Sequence, residues 1–140
     1  MKKATFILLF MMGILSLINA ESSALMNKQF RDSIFQTAKS EPNDTLRLQI
    51  LREAFQQYIG QDAALEFLDS ALALSKQKEM HEEELGALFD YCRHYEYRGD
   101  LSNMEQYFRI LKESSYQYKD YSFYYTIWLA ILQIRCAQGD

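Results

Sequence analysis

The sequence predicts an all-α chain of antiparallel helix hairpins set side by side. Val is absent from the whole chain, and no segment alternates apolar with polar positions, so strand signals are missing. Beyond residue 23, apolar side chains recur at spacings of three and four, which gathers them on one face of successive helices. Gly60, Gly99 and Gly139 each end an apolar helical stretch, and each is followed closely by an Asp. The step from Gly60 to Gly99 nearly equals the step from Gly99 to Gly139. A fixed period in the range of about 20 to 50 residues marks stacked helical units. A hairpin has two apolar faces and hides the second against its neighbour.

Segment 1–20 reads as a secretory signal peptide. Lys2 and Lys3 make a positive head, residues 5–18 form an apolar run broken only by Gly13 and Ser16, and Asn19-Ala20 closes it before Glu21-Ser22-Ser23. Such a run is shorter than the roughly 20 residues of a comfortable membrane-spanning helix. Cleavage after Ala20 and a periplasmic or secreted address are therefore expected, with an uncleaved anchor as the alternative. The helical repeat domain is expected over 24–140.

Its leading helix, 24–40, carries Met26, Phe30, Ile34 and Ala38 four apart and stops at Pro42, which disfavours helical backbone in the residue before it. Asn43 or Asp44 is placed to cap the next helix. Repeat 1, 45–75, has Leu48, Leu51, Phe55 and Tyr58 on its first helix and Ala64, Leu65, Leu68, Ala71 and Leu72 on its second. The polar segment from Ser75 to Glu84 reads as a connector, and Glu82, Glu83 and Glu84 as a solvated helix start favoured by the helix dipole. Repeat 2, 85–115, shows Leu85, Leu88, Tyr91, Cys92 and Tyr95, then Leu101, Met104, Phe108 and Leu111. After a Tyr-rich connector from Ser114 to Tyr121, residues 123–140 supply the first helix of an incomplete repeat 3, with Trp128, Ile131 and Leu132 on its stripe.

The stretch from Leu85 to Leu111 resembles a tetratricopeptide repeat. That family's pattern is Trp, then Leu-Gly, then Tyr on a first helix, a Gly turn, and Ala then Phe on a second. Here Leu88, Tyr91, Cys92 and Tyr95 hold the first-helix places, Gly99 the turn, and Met104 and Phe108 the second-helix places. Leu48, Leu51, Arg52 and Phe55 repeat the order with Gly60 one residue late, followed by Ala64, Leu68 and Ala71. Trp128, Ile131, Leu132 and Gly139 repeat it again, with Arg135 at the Tyr place. The period is longer than that of the family, which is roughly 34 residues. The Pro that ends the family's second helix is missing. Longer repeats of this kind are similar to extracytoplasmic regions of bacterial signalling proteins. The resemblance implies a right-handed α-solenoid of about six helices after the signal helix. An ordinary four- to six-helix bundle is the competing architecture.

The charge balance excludes some functions. Segment 1–20 holds two Lys and no acid. The rest of the chain holds 13 Lys+Arg against 19 Asp+Glu, the wrong sign for a nucleic-acid binder. His81-Glu82 would need a second His at 85 to hold zinc on a helix, and Leu85 stands there. Cys92 and His94, two apart on a helix, point away from each other, so they make no nucleophile pair. With five Gly there is no phosphate-cradling loop. No catalytic residue, metal site or cofactor is expected. Cys92 and Cys136 could pair in an oxidising compartment, but both fall in helical, aromatic-rich surroundings where free Cys serves as a small apolar residue.

The expected function is that of an exported, non-catalytic scaffold binding a peptide or partner protein. The resemblance implies that first helices line a concave face. Off the core stripe these helices carry Gln49, Glu53 and Gln56, then Phe89, Arg93 and Glu96, then Leu129 and Gln133. A second reading is the sensory fragment of a membrane-anchored regulator, touching a membrane only if the N-terminal segment is retained. Trp128, Leu129, Ile131 and Leu132 leave the last helix apolar around much of its circumference, which suggests self-association there. Ten Tyr serve either as interhelix seams or, where Tyr116, Tyr118, Tyr121, Tyr124 and Tyr125 cluster, as an exposed recognition patch.

Overall fold

The computed structural model describes residues 27–138, apart from the side chains at 133–135, 137 and 138. The expected signal segment 1–20 with its cleavage point, Met26, the start of the leading helix, Gly139, and the side chains of Gln133 and Arg135 lie outside this description. The described residues are all-α: six helices and no strand. They fall into two units, one ending at Ser40 and one beginning at Glu41.

Helix α1, 27–40, belongs to the first unit. Ser33, Thr37 and Ser40 each donate a hydroxyl hydrogen bond to a carbonyl one turn back, at 2.7 to 2.9 Å. The second unit holds α2 (Asp44–Tyr58), α3 (Asp62–Gln77), α4 (His81–Tyr97), α5 (Leu101–Gln117) and α6 (Tyr121–Gln138). Each of these packs on the next in chain order.

Helix starts follow side-chain chemistry. Asn43 caps α2 by accepting from the Leu46 N–H at 3.1 Å. Asp100 and Asp120 do the same for α5 and α6, accepting from Asn103 at 3.1 Å and Phe123 at 2.9 Å. Capping of this kind is worth about 1 kcal/mol each.

Helix ends explain the periodicity. The corners at Lys78–Met80, Arg98–Asp100 and Tyr118–Asp120 close with one hydrogen-bond pattern. The middle residue donates three residues back and the third donates five back, all within 3.2 Å. This is the Schellman closure, which needs a left-handed residue at its centre. Glu79 (φ 55°), Gly99 (φ 69°) and Lys119 (φ 60°) supply it. The corner thus recurs at 79, 99 and 119, twice as often as the Gly period announces.

Gly60 departs from this pattern. Ile59 (φ −51°, ψ 134°) and Gly60 (φ 82°) form a type II turn closed by Gln61 N–H to the Tyr58 carbonyl at 2.9 Å. That turn spends the Gln61 amide and leaves the Gly60 N–H outside the helix ladder.

The two expected connectors are mostly helix. Residues 75–77 complete α3 and residues 114–117 complete α5. Ser75 and Ser115 are buried because each folds its hydroxyl onto a carbonyl of its own helix, Leu72 at 3.0 Å and Leu111 at 2.7 Å. A Ser with an internal partner can occupy a seam that a polarity count assigns to a loop.

The core of the second unit lies between successive helices. Leu48, Leu51, Phe55 and Tyr58 of α2 and Ala64, Phe67, Leu68, Ala71 and Leu74 of α3 are buried. A second cluster joins Leu85, Leu88 and Cys92 of α4, Met104, Phe108 and Leu111 of α5, and Ile127 of α6. The expected stripes depart from these lists most clearly in three helices. In α3, Phe67 is buried although the spacing did not place it on the stripe, and in α5 Leu101 is exposed. In α6 the buried residue is Ile127, while Trp128 is 44% exposed and Leu132 is exposed with it. Leu88 lies in the cluster that α5 and α6 complete.

Candidate functional site

The face shared by α2 and α4 is organised around one acid. Asp90 of α4 is 1% exposed. Its Oδ2 accepts from Arg52 Nε of α2 at 2.8 Å, and its Oδ1 accepts from Arg93 one turn on, at 3.3 Å. Arg52 also reaches Glu83 at 3.5 Å, and Arg93 donates to Gln56 of α2 at 3.3 Å. A buried carboxylate requires such partners, since desolvation of a lone charge is costly.

Gly86 makes the arrangement possible. A Cβ added there would stand 2.9 Å from the Arg52 guanidinium. Arg52 lies over Gly86, with its guanidinium where a larger side chain would stand.

Of the residues expected on this face, Gln49 donates to Glu53 at 2.8 Å, Gln56 and Arg93 meet as above, and Glu96 is exposed. Thr45, Gln49, Arg52, Glu53, Gln56 and Glu83 line a shallow depression of about 310 Å³. Phe89 is half-exposed, and its ring meets Phe123 of α6 edge-on at 6.1 Å. Leu129 is exposed on α6 with Tyr125, Trp128 and Leu132, at helical spacing. Gln56 and Arg93 are therefore brought together, whereas Phe89 faces α6.

Asp90, Arg52 and Glu83 were absent from the expected set. A lone Asp in the middle of an apolar helix, four residues after a Gly, was the available signal. Its partner Arg52 lies on another helix, 38 residues earlier in the chain.

Two further ties follow one pattern. Lys78 Nζ meets Asp44 at 2.9 Å, and Tyr118 Oη donates to Glu84 at 2.8 Å. Each joins the residue after one helix, α3 or α5, to an acid in the opening turn of the helix before it, α2 or α4. Glu84 is thus buried, contrary to its expected place on a solvated helix start. His81 stacks on the Tyr118 ring at 3.9 Å.

Tyr residues divide between the two roles. Tyr91 and Tyr107 stack at 4.4 Å, Tyr95 stacks on Tyr107 at 5.5 Å, and the Tyr91 hydroxyl donates to Asp69. Burial first, then the Asp69 contact, raises the Tyr91 phenol well above its ordinary range. Tyr116, Tyr121 and Tyr125 are instead exposed, with Tyr124 between Tyr116 and Tyr125.

Cys92 is buried and its thiol is pushed up to about 12, chiefly by desolvation. Cys136 is exposed, and both cysteines are free. Among the described residues no group of three His, Cys, Asp or Glu is placed to hold a metal, and no helix is long and apolar enough to cross a membrane.

Comparison with protein-family models, with curated proteins and with solved structures finds no match.

Proposed function

We propose that this chain is an exported, non-catalytic helical-repeat scaffold that holds an extended peptide or partner protein against α2 and α4. The observation that carries the reading is the Arg52–Asp90–Arg93–Gln56 network, which knits two first helices into one polar surface. The regularly spaced corners and the two equivalent ties one repeat apart support stacking of hairpins in a right-handed, tetratricopeptide-like solenoid. In that arrangement α2, α4 and α6 line the concave side.

Gln49, Gln56 and the outer nitrogens of both Arg offer hydrogen-bonding groups suited to peptide backbone and polar side chains. Phe89 supplies the apolar contact at the α6 end. A photocrosslinking residue placed at Gln56 or Phe89 should trap the partner, while one at Ser70 of α3 should not; equal trapping from all three overturns the assignment of the face. Export is tested by N-terminal sequencing of the product, where a start at Glu21 supports the reading and an intact Met1 favours the membrane-anchored sensory alternative.

A second surface follows from α6. Tyr125, Trp128, Leu129 and Leu132 form an exposed stripe, and such stripes mark association sites. Self-association through it predicts a concentration-dependent mass in sedimentation that Trp128→Glu abolishes.

A further inference from the structure

His94 is fully buried near the end of α4. Its Nδ1 accepts the Gly60 N–H at 3.3 Å, which ties α4 to the corner between α2 and α3. Its Nε2 is buried without a hydrogen-bond partner. An imidazole that accepts at Nδ1 is neutral and carries its proton on Nε2.

The surroundings suit the neutral ring and not the cation. Phe55 of α2 lies 6.4 Å away, and Tyr95 of α4 meets the ring edge-on at 5.3 Å. Two charged groups face the ring. Arg98, at the end of α4, disfavours an imidazolium; Asp62, at the start of α3, favours it. These two are paired with each other, so the field at the ring is largely cancelled. Burial, as the larger effect, holds the His94 pKa below its ordinary value.

The Gly60 corner is where the chain leaves its own rule. At Gly99 the corner amide is bonded within its helix, to the Glu96 carbonyl. At Gly60 the type II turn turns the amide outward, and His94 is its acceptor.

We propose that His94 is a proton-operated latch that fastens the Gly60 corner to α4, closed while the imidazole is neutral and released in acid. Protonation places an N–H on Nδ1, so two donors face each other and the Gly60 amide loses its acceptor. The buried imidazolium has no partner at Nε2. Release frees the end of α2 from α4, one turn from the Gln56–Arg93 contact. The folded state binds this proton less readily than the unfolded chain, so the closed latch contributes stability above the ordinary His pKa of about 6.5 and loses it as pH falls below.

The test is amide hydrogen exchange of the full chain, with rates corrected for intrinsic pH dependence. Protection of the Gly60 amide should fall by up to about tenfold between pH 7.5 and 5.5, the most that one proton with an open-state pKa of about 6.5 allows, whereas that of Gly99 should hold. His94→Gln, which keeps an acceptor but does not titrate, should make Gly60 protection independent of pH; His81→Gln should leave the response intact. Flat protection in the wild type, or an unchanged fall in His94→Gln, overturns the latch. Should His94→Gln not fold, NMR titration of the wild type decides: the His94 ring and the Gly60 amide must move with one midpoint below 6.5, and separate midpoints overturn the proposal. Partner capture does not enter this readout.

Discussion

Replacing Asp90 by Asn tests how firmly α2 and α4 are joined. The substitution keeps shape and removes charge. Asp90 is 1% exposed and receives two guanidinium contacts, one at 2.8 Å and one at 3.3 Å. Breaking a fully buried ion pair costs about 3–5 kcal/mol. Here the Arg52 and Arg93 side chains keep 34% and 42% of their surface in water, which screens the pair and lowers that figure. The longer contact adds little, and Asn retains one acceptor for Arg52. One charge-assisted bond in the lower part of its range remains, about 2 kcal/mol. At about 4 °C per kcal/mol for a domain of this size, Tm should fall by about 8 °C. Urea unfolding followed by circular dichroism measures this, with Glu53→Gln as an exposed control expected within about 0.5 kcal/mol. A cycle with Arg52→Met should return a coupling of about 1–2 kcal/mol. An Asp90→Asn variant as stable as the control, or a coupling near zero, would refute the reasoning.

Other outcomes follow from the same coordinates. Glu79→Gly and Lys119→Gly relieve left-handed backbone and should each stabilise by about 0.5–1 kcal/mol, while Gly99→Ala, at φ 69° with open space around it, should cost about 1 kcal/mol; calorimetry gives the sign at each. Iodoacetamide at neutral pH should label one thiol, Cys136, in the folded chain and two in urea, since Cys92 is buried and its thiol stays protonated. Phe67→Ala, at a fully buried site between α2 and α3, should cost about 3–5 kcal/mol by chemical denaturation, whereas Tyr97→Ala, 72% exposed, should cost under about 1.

Much of the fold was legible because helical spacing reports burial directly. Leu48, Leu51, Phe55, Leu88, Cys92, Phe108 and Leu111 are all buried where the stripe places them. The Gly period found the corners at 60 and 99 but not those at 79 and 119. There Glu and Lys tolerate a left-handed backbone that composition does not announce. In α6 the burial falls one residue away from the expected stripe, on Ile127 rather than Trp128.

The candidate face was legible in part. Gln56 and Arg93 were found by register. Asp90 was hidden because its role depends on Arg52, far back along the chain, and on the space left by Gly86. His94 was hidden in the same way, since its partner is a backbone amide freed by one turn type at Gly60. Long-range polar pairing has no local periodicity to betray it.

The most direct test of the side-by-side placement of α2 and α4 is nuclear Overhauser spectroscopy between them. The structure requires cross-peaks from Gly60 to the Tyr97 ring, from the Gly86 α-protons to the Arg52 side chain, and from Phe55 to His94, whose ring centres lie 6.4 Å apart. All three present would place α2 and α4 against each other. Their joint absence in a folded, helical chain would mean that α2 and α4 do not touch, and the shared polar face would not exist.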